Sequence, residues 1–158
     1  MMNVQIKTML LISPSFENNG MIPKKFARDG GNINPELRIE NVPVSAKSLA
    51  LIMHDSDAPM LGGFTHWVVW NIVPTTALVK EESAPPGAVE GRNTRGTGGY
   101  TGPYPPPGHG IHHYEFYLYA LDATLDLPVA SSKAELEVAM QGRIIEETKL
   151  VGLYERNS

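Results

Sequence analysis

Leu49-Ala50-Leu51-Ile52-Met53-His54-Asp55-Ser56-Asp57-Ala58-Pro59 is apolar at odd and even positions alike until it meets two carboxylates and a turn. Side chains along a strand alternate faces with period two. A run that is apolar at both parities predicts a strand covered on both faces. The reading places that strand from Lys47 to Asp55, with Asp55 on the face of Leu49, Leu51 and Met53. Further along, His66-Trp67-Val68-Val69-Trp70-Asn71 opens a second such run that continues to Val73. A third, His112-His113-Tyr114-Glu115-Phe116-Tyr117-Leu118-Tyr119-Ala120-Leu121, puts His112 and Tyr114 on the parity of Phe116, Leu118 and Ala120. Leu37 and Ile39 alternate with Arg38 and Glu40, which predicts a half-buried strand. Turn-rich links between these runs favour antiparallel pairing. The expected fold is therefore mostly β, a two-sheet antiparallel β-sandwich.

One short helix is expected. Ser132-Lys133-Ala134-Glu135 fits a capping box, and strong helix formers follow to Met140, with Gly142 as a stop. A final strand is expected from Ile144 to Leu153. Glycine (15) and proline (13) cluster at turns and form no single linker, so residues 1–158 are expected to form one domain. Segment 83–110 is the densest in these residues. A loop that long inside a compact domain is usually functional or disordered, and Tyr100 and Tyr104 within it favour order.

Composition excludes several roles. The formal net charge of −4 argues against a nucleic-acid binder, which usually carries a basic face. With no cysteine, disulfides and thiol nucleophiles are out. No apolar run nears the roughly 18 residues of a membrane span, and Met9 to Ile12 is too short for a signal peptide. The expected location is cytoplasmic, without stable membrane insertion.

Imidazoles and carboxylates at strand ends beside a glycine-rich loop are where ligand sites form. An anion needs donors and positive charge. Imidazolium supplies both, a carboxylate fixes the imidazole tautomer, and a glycine-rich loop can offer main-chain N–H groups. On this reading Asp55 supports an imidazole while His66 and His112 face the ligand, and Tyr114 adds a hydroxyl. Asp57 bonds nearby main-chain N–H groups in its turn. His54 and His113 fall on the opposite parity and are left out; His109 can go either way. Arg92 and Arg95 read as solvated loop charges. A zinc or iron site built on two histidines and an aspartate is a second reading, but the usual short ligand spacings are missing. A hydrolase is a third, without a Gly-x-Ser-x-Gly elbow or any other nucleophile motif. The expectation is a binding protein that is not an enzyme and needs no cofactor.

These residues resemble a known family. Asp55-Ser56-Asp57-Ala58-Pro59 resembles the Asp-Pro-Asp-Ala-Pro signature of the phosphatidylethanolamine-binding proteins. His66-Trp67-Val68-Val69-Trp70-Asn71 resembles that family's His-x-hydrophobic-hydrophobic-x-Asn segment. Residues 100–114, a Gly and Pro-Pro loop ending in His112-His113-Tyr114, resemble its second signature. Asp29-Gly30-Gly31-Asn32-Ile33-Asn34-Pro35-Glu36-Leu37 resembles its Asp-Gly-x-Asn-x-Ser-Pro-x-Leu segment. The match runs in order over about residues 16–155.

The resemblance implies a β-sandwich with a small pocket for phosphate, acetate or phosphoryl head groups. Carried over by motif position, the pocket uses Asp55, Asp57, His66, Gly102, Pro106, His112 and Tyr114, with Tyr104 at its mouth and a cis bond before Pro59. Departures are Ser56 for the usual proline, Pro103 and Tyr104 where animal members have small residues, and a short link from Ala58 to Thr65. The kinase-contacting insert and the long C-terminal helix of animal members are expected to be missing. Compact prokaryotic members suggest a homodimer. Related members that inhibit serine proteases, or regulate a kinase, suggest a protein partner, with loop 83–95 as the docking segment.

Overall fold

The computed structural model describes residues 7–157. Residues 1–6, part of the segment weighed as a signal peptide, lie outside them. The strands are β1 (Leu10–Ile12), β2 (Gly20–Met21), β3 (Leu37–Glu40), β4 (Ser48–Asp55), β5 (Phe64–Ile72), β6 (Leu78–Val79), β7 (Val89–Glu90), β8 (His112–Leu121) and β9 (Ile144–Tyr154). One helix, α1 (Lys133–Met140), lies between β8 and β9.

The strands form two sheets, one in the order β1-β3-β6 and one in the order β2-β9-β8-β4-β5-β7. All neighbours are antiparallel except β2, which runs parallel to β9 at Gly20 and Met21. The expected antiparallel sandwich is present, and β2 is a short parallel strand added at its edge. β2 is only two residues long, and Asn18 and Asn19 dock it on Val151 through side-chain and main-chain hydrogen bonds.

All eight residues of β4 are buried, as its two-parity apolar pattern demands. Leu49, Leu51 and Met53 join Phe116, Leu118 and Ala120 of β8 in the core between the sheets. Ala50 and Ile52 point the other way and pack with Val68, Trp70 and the α1 residues Leu136 and Met140. The capping box forms: Ser132 Oγ accepts from the Glu135 N–H, and Glu135 Oε1 accepts from the Ser132 N–H.

Segment 83–110 is ordered in pieces. It contains β7, and Arg92 bridges Gly98. Asn93 closes the tip by donating to Thr97 Oγ1 and the Gly99 carbonyl. Tyr100 lies edge-on to Trp67 and donates its hydroxyl to the Phe26 carbonyl at 2.8 Å. Every peptide bond among the described residues is trans, including the one before Pro59, which corrects the expectation of a cis bond there. The reversal is made instead by Gly62 and Gly63, both with positive φ, and by the Gly63 N–H bond to the Met60 carbonyl at 3.0 Å.

Candidate functional site

The site forms where β4 ends and its two neighbours begin. Antiparallel register sets Asp55 opposite Phe64 of β5 and Tyr114 of β8. Residues paired across a sheet share a face, so all three point toward the same end of the core. His66 needs a further device. Met53 pairs with Trp67 but His54 pairs with Thr65, so His66 is an extra residue in β5, a β-bulge. The bulge re-aims the imidazole out of simple alternation, and His66 packs 4.7 Å from the Phe64 ring and 5.1 Å from that of Tyr114.

These residues line one cavity of about 150 Å³. Asp55, His66, His112 and Tyr114 form its polar side; Gly102, Tyr104 and Pro106 come from the loop. Asp57 is not among the lining residues. Its carboxylate sits at the surface and accepts from both the ring and the main-chain N–H of His113, each at 2.8 Å. Burial raises the Asp57 carboxyl, but those two bonds outweigh it and leave the group below its ordinary value. The turn role expected of Asp57 belongs to Asp55, whose Oδ1 accepts from the Asp57 N–H at 2.8 Å, with Ser56 between them.

The other Asp55 oxygen accepts from His112 Nδ1 at 2.6 Å, with both side chains almost wholly buried. His112 Nε2 lies 2.6 Å from Nδ1 of His109, which sits on the exposed loop. His109, undecided from sequence, thus extends the pair into a chain of three, and both His112 ring nitrogens are engaged. His66 differs. Its Nδ1–H donates to the Thr101 carbonyl at 2.8 Å, and burial pushes its imidazole down to about 4. The ring is neutral near pH 7 and its Nε2 is an acceptor. As it stands His66 is therefore a neutral acceptor near pH 7, where an imidazolium was expected.

The loop also behaves differently from a donor cradle. Gly102 N–H is taken by Asn32 Oδ1 at 2.7 Å, and Pro103, Pro105, Pro106 and Pro107 have no N–H to give. Gly102 serves close approach instead, since a Cβ there would run into the Phe26 carbonyl oxygen. The Tyr114 and Thr101 hydroxyls are buried and have no hydrogen-bond partner among the described residues. Burial, with the Asp55 carboxylate beside it, pushes the Tyr114 hydroxyl far above its usual value, so it stays protonated.

Sequence reading missed Arg28, Thr101, Phe64 and Met60, which also line the cavity. Thr101 directly precedes Gly102, and Arg28 directly precedes the Asp29-Gly30 motif; adjacency to the motifs was the available signal. His54, on the far face, bonds Thr65 Oγ1 and the Gly62 carbonyl. Among the described residues, no three His, Asp or Glu side chains are grouped to hold a metal ion, and no helix is long and apolar enough to cross a membrane.

Comparison with known proteins agrees with the fold. A UPF0098 protein of Pyrococcus horikoshii is 49% identical over 156 residues, covering 95% of this chain and 78% of that protein. The crystal structure of a phosphatidylethanolamine-binding protein homologue from Chlamydia trachomatis matches with a TM-score of 0.89 at 40% identity, over 95% of this chain and 99% of the other. Escherichia coli YbcL, described as a new member of the mammalian family, matches with a TM-score of 0.89 at 29% identity, over 94% and 99%. The sequence pattern of the phosphatidylethanolamine-binding protein family covers residues 12–155, and the chain belongs to that family.

Proposed function

We propose that this chain is a non-enzymatic binding protein whose cavity takes a small phosphoryl or similar anionic group. One observation carries the reading: Thr101 and Tyr114, whose buried hydroxyls have no partner among the described residues, line the same cavity as the Asp55–His112 pair. Buried polar groups are normally hydrogen-bonded, so orphans that share a cavity support a missing guest. The cavity of about 150 Å³ is below the 300–1,000 Å³ typical of drug-sized ligands. That suits a head group or a free anion.

The acceptor at His66 narrows the guest further. Tyr114 and Thr101 can donate to phosphoryl oxygens, whereas His66 Nε2 and the Asp55 carboxylate can only accept from a ligand. The best fit is an anion that still carries a proton, such as a singly ionised phosphate. His109 competes with such a guest for His112 Nε2.

The test is titration of the protein with methyl phosphate and with sulfate, followed by NMR at pH about 5 and about 8, either side of a phosphomonoester's second ionisation near 6. Methyl phosphate should bind more tightly at the lower pH, where it still carries a proton, and sulfate, which has no proton to give, should bind weakly at both. His66, at about 4, does not titrate in this range. Equal affinity for the two anions would refute the proton-donating guest, and no binding of either would refute the anion cavity.

A role as protease inhibitor through loop 83–95 has less support. An inhibitory loop must present an extended segment to a cleft. Here the Ser83 N–H is bonded to Asn34 Oδ1, β7 is paired with β5, and the tip folds back on Asn93. Inhibition of chymotrypsin or elastase would reopen that reading.

A further inference from the structure

The cavity's mouth carries a feature that its floor does not explain. Tyr104, half exposed at the rim, lies under two guanidinium groups: the Arg28 Cζ is 4.8 Å from the ring centre and the Arg156 Cζ is 3.8 Å from it. Arg28 comes from the segment after the Lys24–Phe26 turn and itself lines the cavity. Arg156 follows β9 and donates Nε to the Pro105 carbonyl at 2.8 Å. The main chain fixes both arms, since Arg28 N–H donates to the Pro103 carbonyl and Gly108 N–H to the Arg156 carbonyl. The loop is therefore tied to two cationic residues from distant parts of the chain.

Neither guanidinium forms an ion pair within 4 Å of a carboxylate among the described residues. Asp29, next to Arg28, takes the Tyr154 hydroxyl instead. In the cavity, Asp55 is occupied by His112. On a chain of net charge −4, two positive groups without ion-pair partners among the described residues thus lie against the tyrosine that lines the cavity, which has no cation of its own at His66. Guanidinium is the donor best matched to phosphate and carboxylate oxygens, and stacking on an aromatic ring pre-orients it.

We infer that the arginine-flanked mouth around Tyr104 is a second anionic subsite, so that the cavity selects phosphoryl compounds whose tail is also negative and disfavours those whose tail is an ammonium group. The inference rests on the anion-cavity reading. It assigns phosphoethanolamine, whose tail is cationic, to the weak end of the range, and a carboxylate-tailed phosphomonoester to the strong end.

Three probes with the same head and different tails test it: 2-phosphoglycolate, ethyl phosphate and phosphoethanolamine, titrated by calorimetry or NMR at one pH and low salt, with inorganic phosphate as reference. Affinity should fall in that order, by about fivefold per step, since each partly exposed charge pair contributes up to about 1 kcal/mol. Added salt should compress the series, because exposed charges are screened. In Arg28→Gln the three tails should converge, with NMR dispersion reporting that the fold is kept. The series on the unaltered protein decides even if that variant is unstable. Phosphate binding with equal affinities, or with phosphoethanolamine tightest, overturns the subsite and leaves the cavity reading standing. Failure of inorganic phosphate and all three esters to bind overturns both.

Discussion

Two aspartate–histidine pairs lie within a few residues of each other and make the same contact in opposite surroundings. Asp55 Oδ2 and His112 Nδ1 are 2.6 Å apart, with side chains 4% and 2% exposed; Asp57 Oδ2 and His113 Nδ1 are 2.8 Å apart, with side chains 43% and 57% exposed. Strand alternation produces the difference. His112 and His113 are neighbours in β8, so their rings leave opposite faces, and each meets the aspartate on its own side. The contact is shared; the solvent is not. Water screens the outer pair and competes for every donor and acceptor in it, whereas the inner pair has itself, His109, the Asp57 N–H and the cavity.

The largest effect follows from removing one member of the inner pair. Asp55→Ala leaves His112 Nδ1 buried without its acceptor and unties the Asp57 N–H, and should cost about 3–5 kcal/mol in urea unfolding. Asp55→Asn, which keeps an acceptor oxygen, should cost less. If Asp55→Ala and Asp57→Ala proved equally harmful, burial would not be what separates the pairs.

His66 sharpens the comparison, because it is buried like His112 but faces a carbonyl where His112 faces a carboxylate. Its imidazole stands at about 4 in the folded protein, against about 6.5 unfolded. Between those values the unfolded chain binds a proton that the folded chain does not. Stability should therefore fall as pH drops from about 6.5 to about 4, by up to about 3 kcal/mol, and this contribution should level off below that. His54, also held down by burial and by Lys133, acts in the same direction. Urea midpoints for the natural protein and for His66→Gln across this window check the point: the variant should show a flatter slope. An unchanged slope would place the acid sensitivity elsewhere.

Tyr114 separates stability from binding at the inner site. Its hydroxyl is buried and unpartnered, so Tyr114→Phe removes a group that the folded protein does not satisfy. Urea unfolding should change little, while phosphate affinity should drop by about threefold to tenfold, the value of about one hydrogen bond. A large loss of stability with intact binding would mean that the hydroxyl has a structural partner.

Much of this arrangement was legible in the sequence, for reasons that also mark where legibility stopped. Period-two alternation put Asp55 on the face of Met53, and His112 and Tyr114 on that of Phe116, and antiparallel register then brings them together. Alternation could not place His66, because a bulge breaks the period at that residue; only its motif position pointed to the cavity. Asp57 was misplaced for the converse reason. Its motif position pointed inward, yet two residues past Asp55 the strand has already turned, and His113 captures the carboxylate outside. Arg28 lies 27 positions before Asp55 and carries no local pattern; it reaches the cavity through main-chain pairing with Pro103, a contact that no periodicity encodes.

The smallest effect belongs to the outer pair. Asp57 accepts from the His113 ring and from its main-chain N–H, so His113→Ala removes only the ring contact and should shift stability by well under about 1 kcal/mol. Asp57→Ala frees the His113 main-chain N–H at the start of β8, but water can reach it, so the cost should stay within about 1 kcal/mol. Because Asp57 is held below its ordinary value when folded, its contribution is present above the unfolded carboxyl value of about 4 and is lost as pH falls through the lower folded value. High salt should erase most of the difference between Asp57→Ala and the natural protein, yet leave the Asp55→Ala difference nearly intact, since ions screen the exposed outer pair and change little a buried direct contact at 2.6 Å. Equal salt sensitivity of the two variants would show that the inner pair is reached by solvent after all.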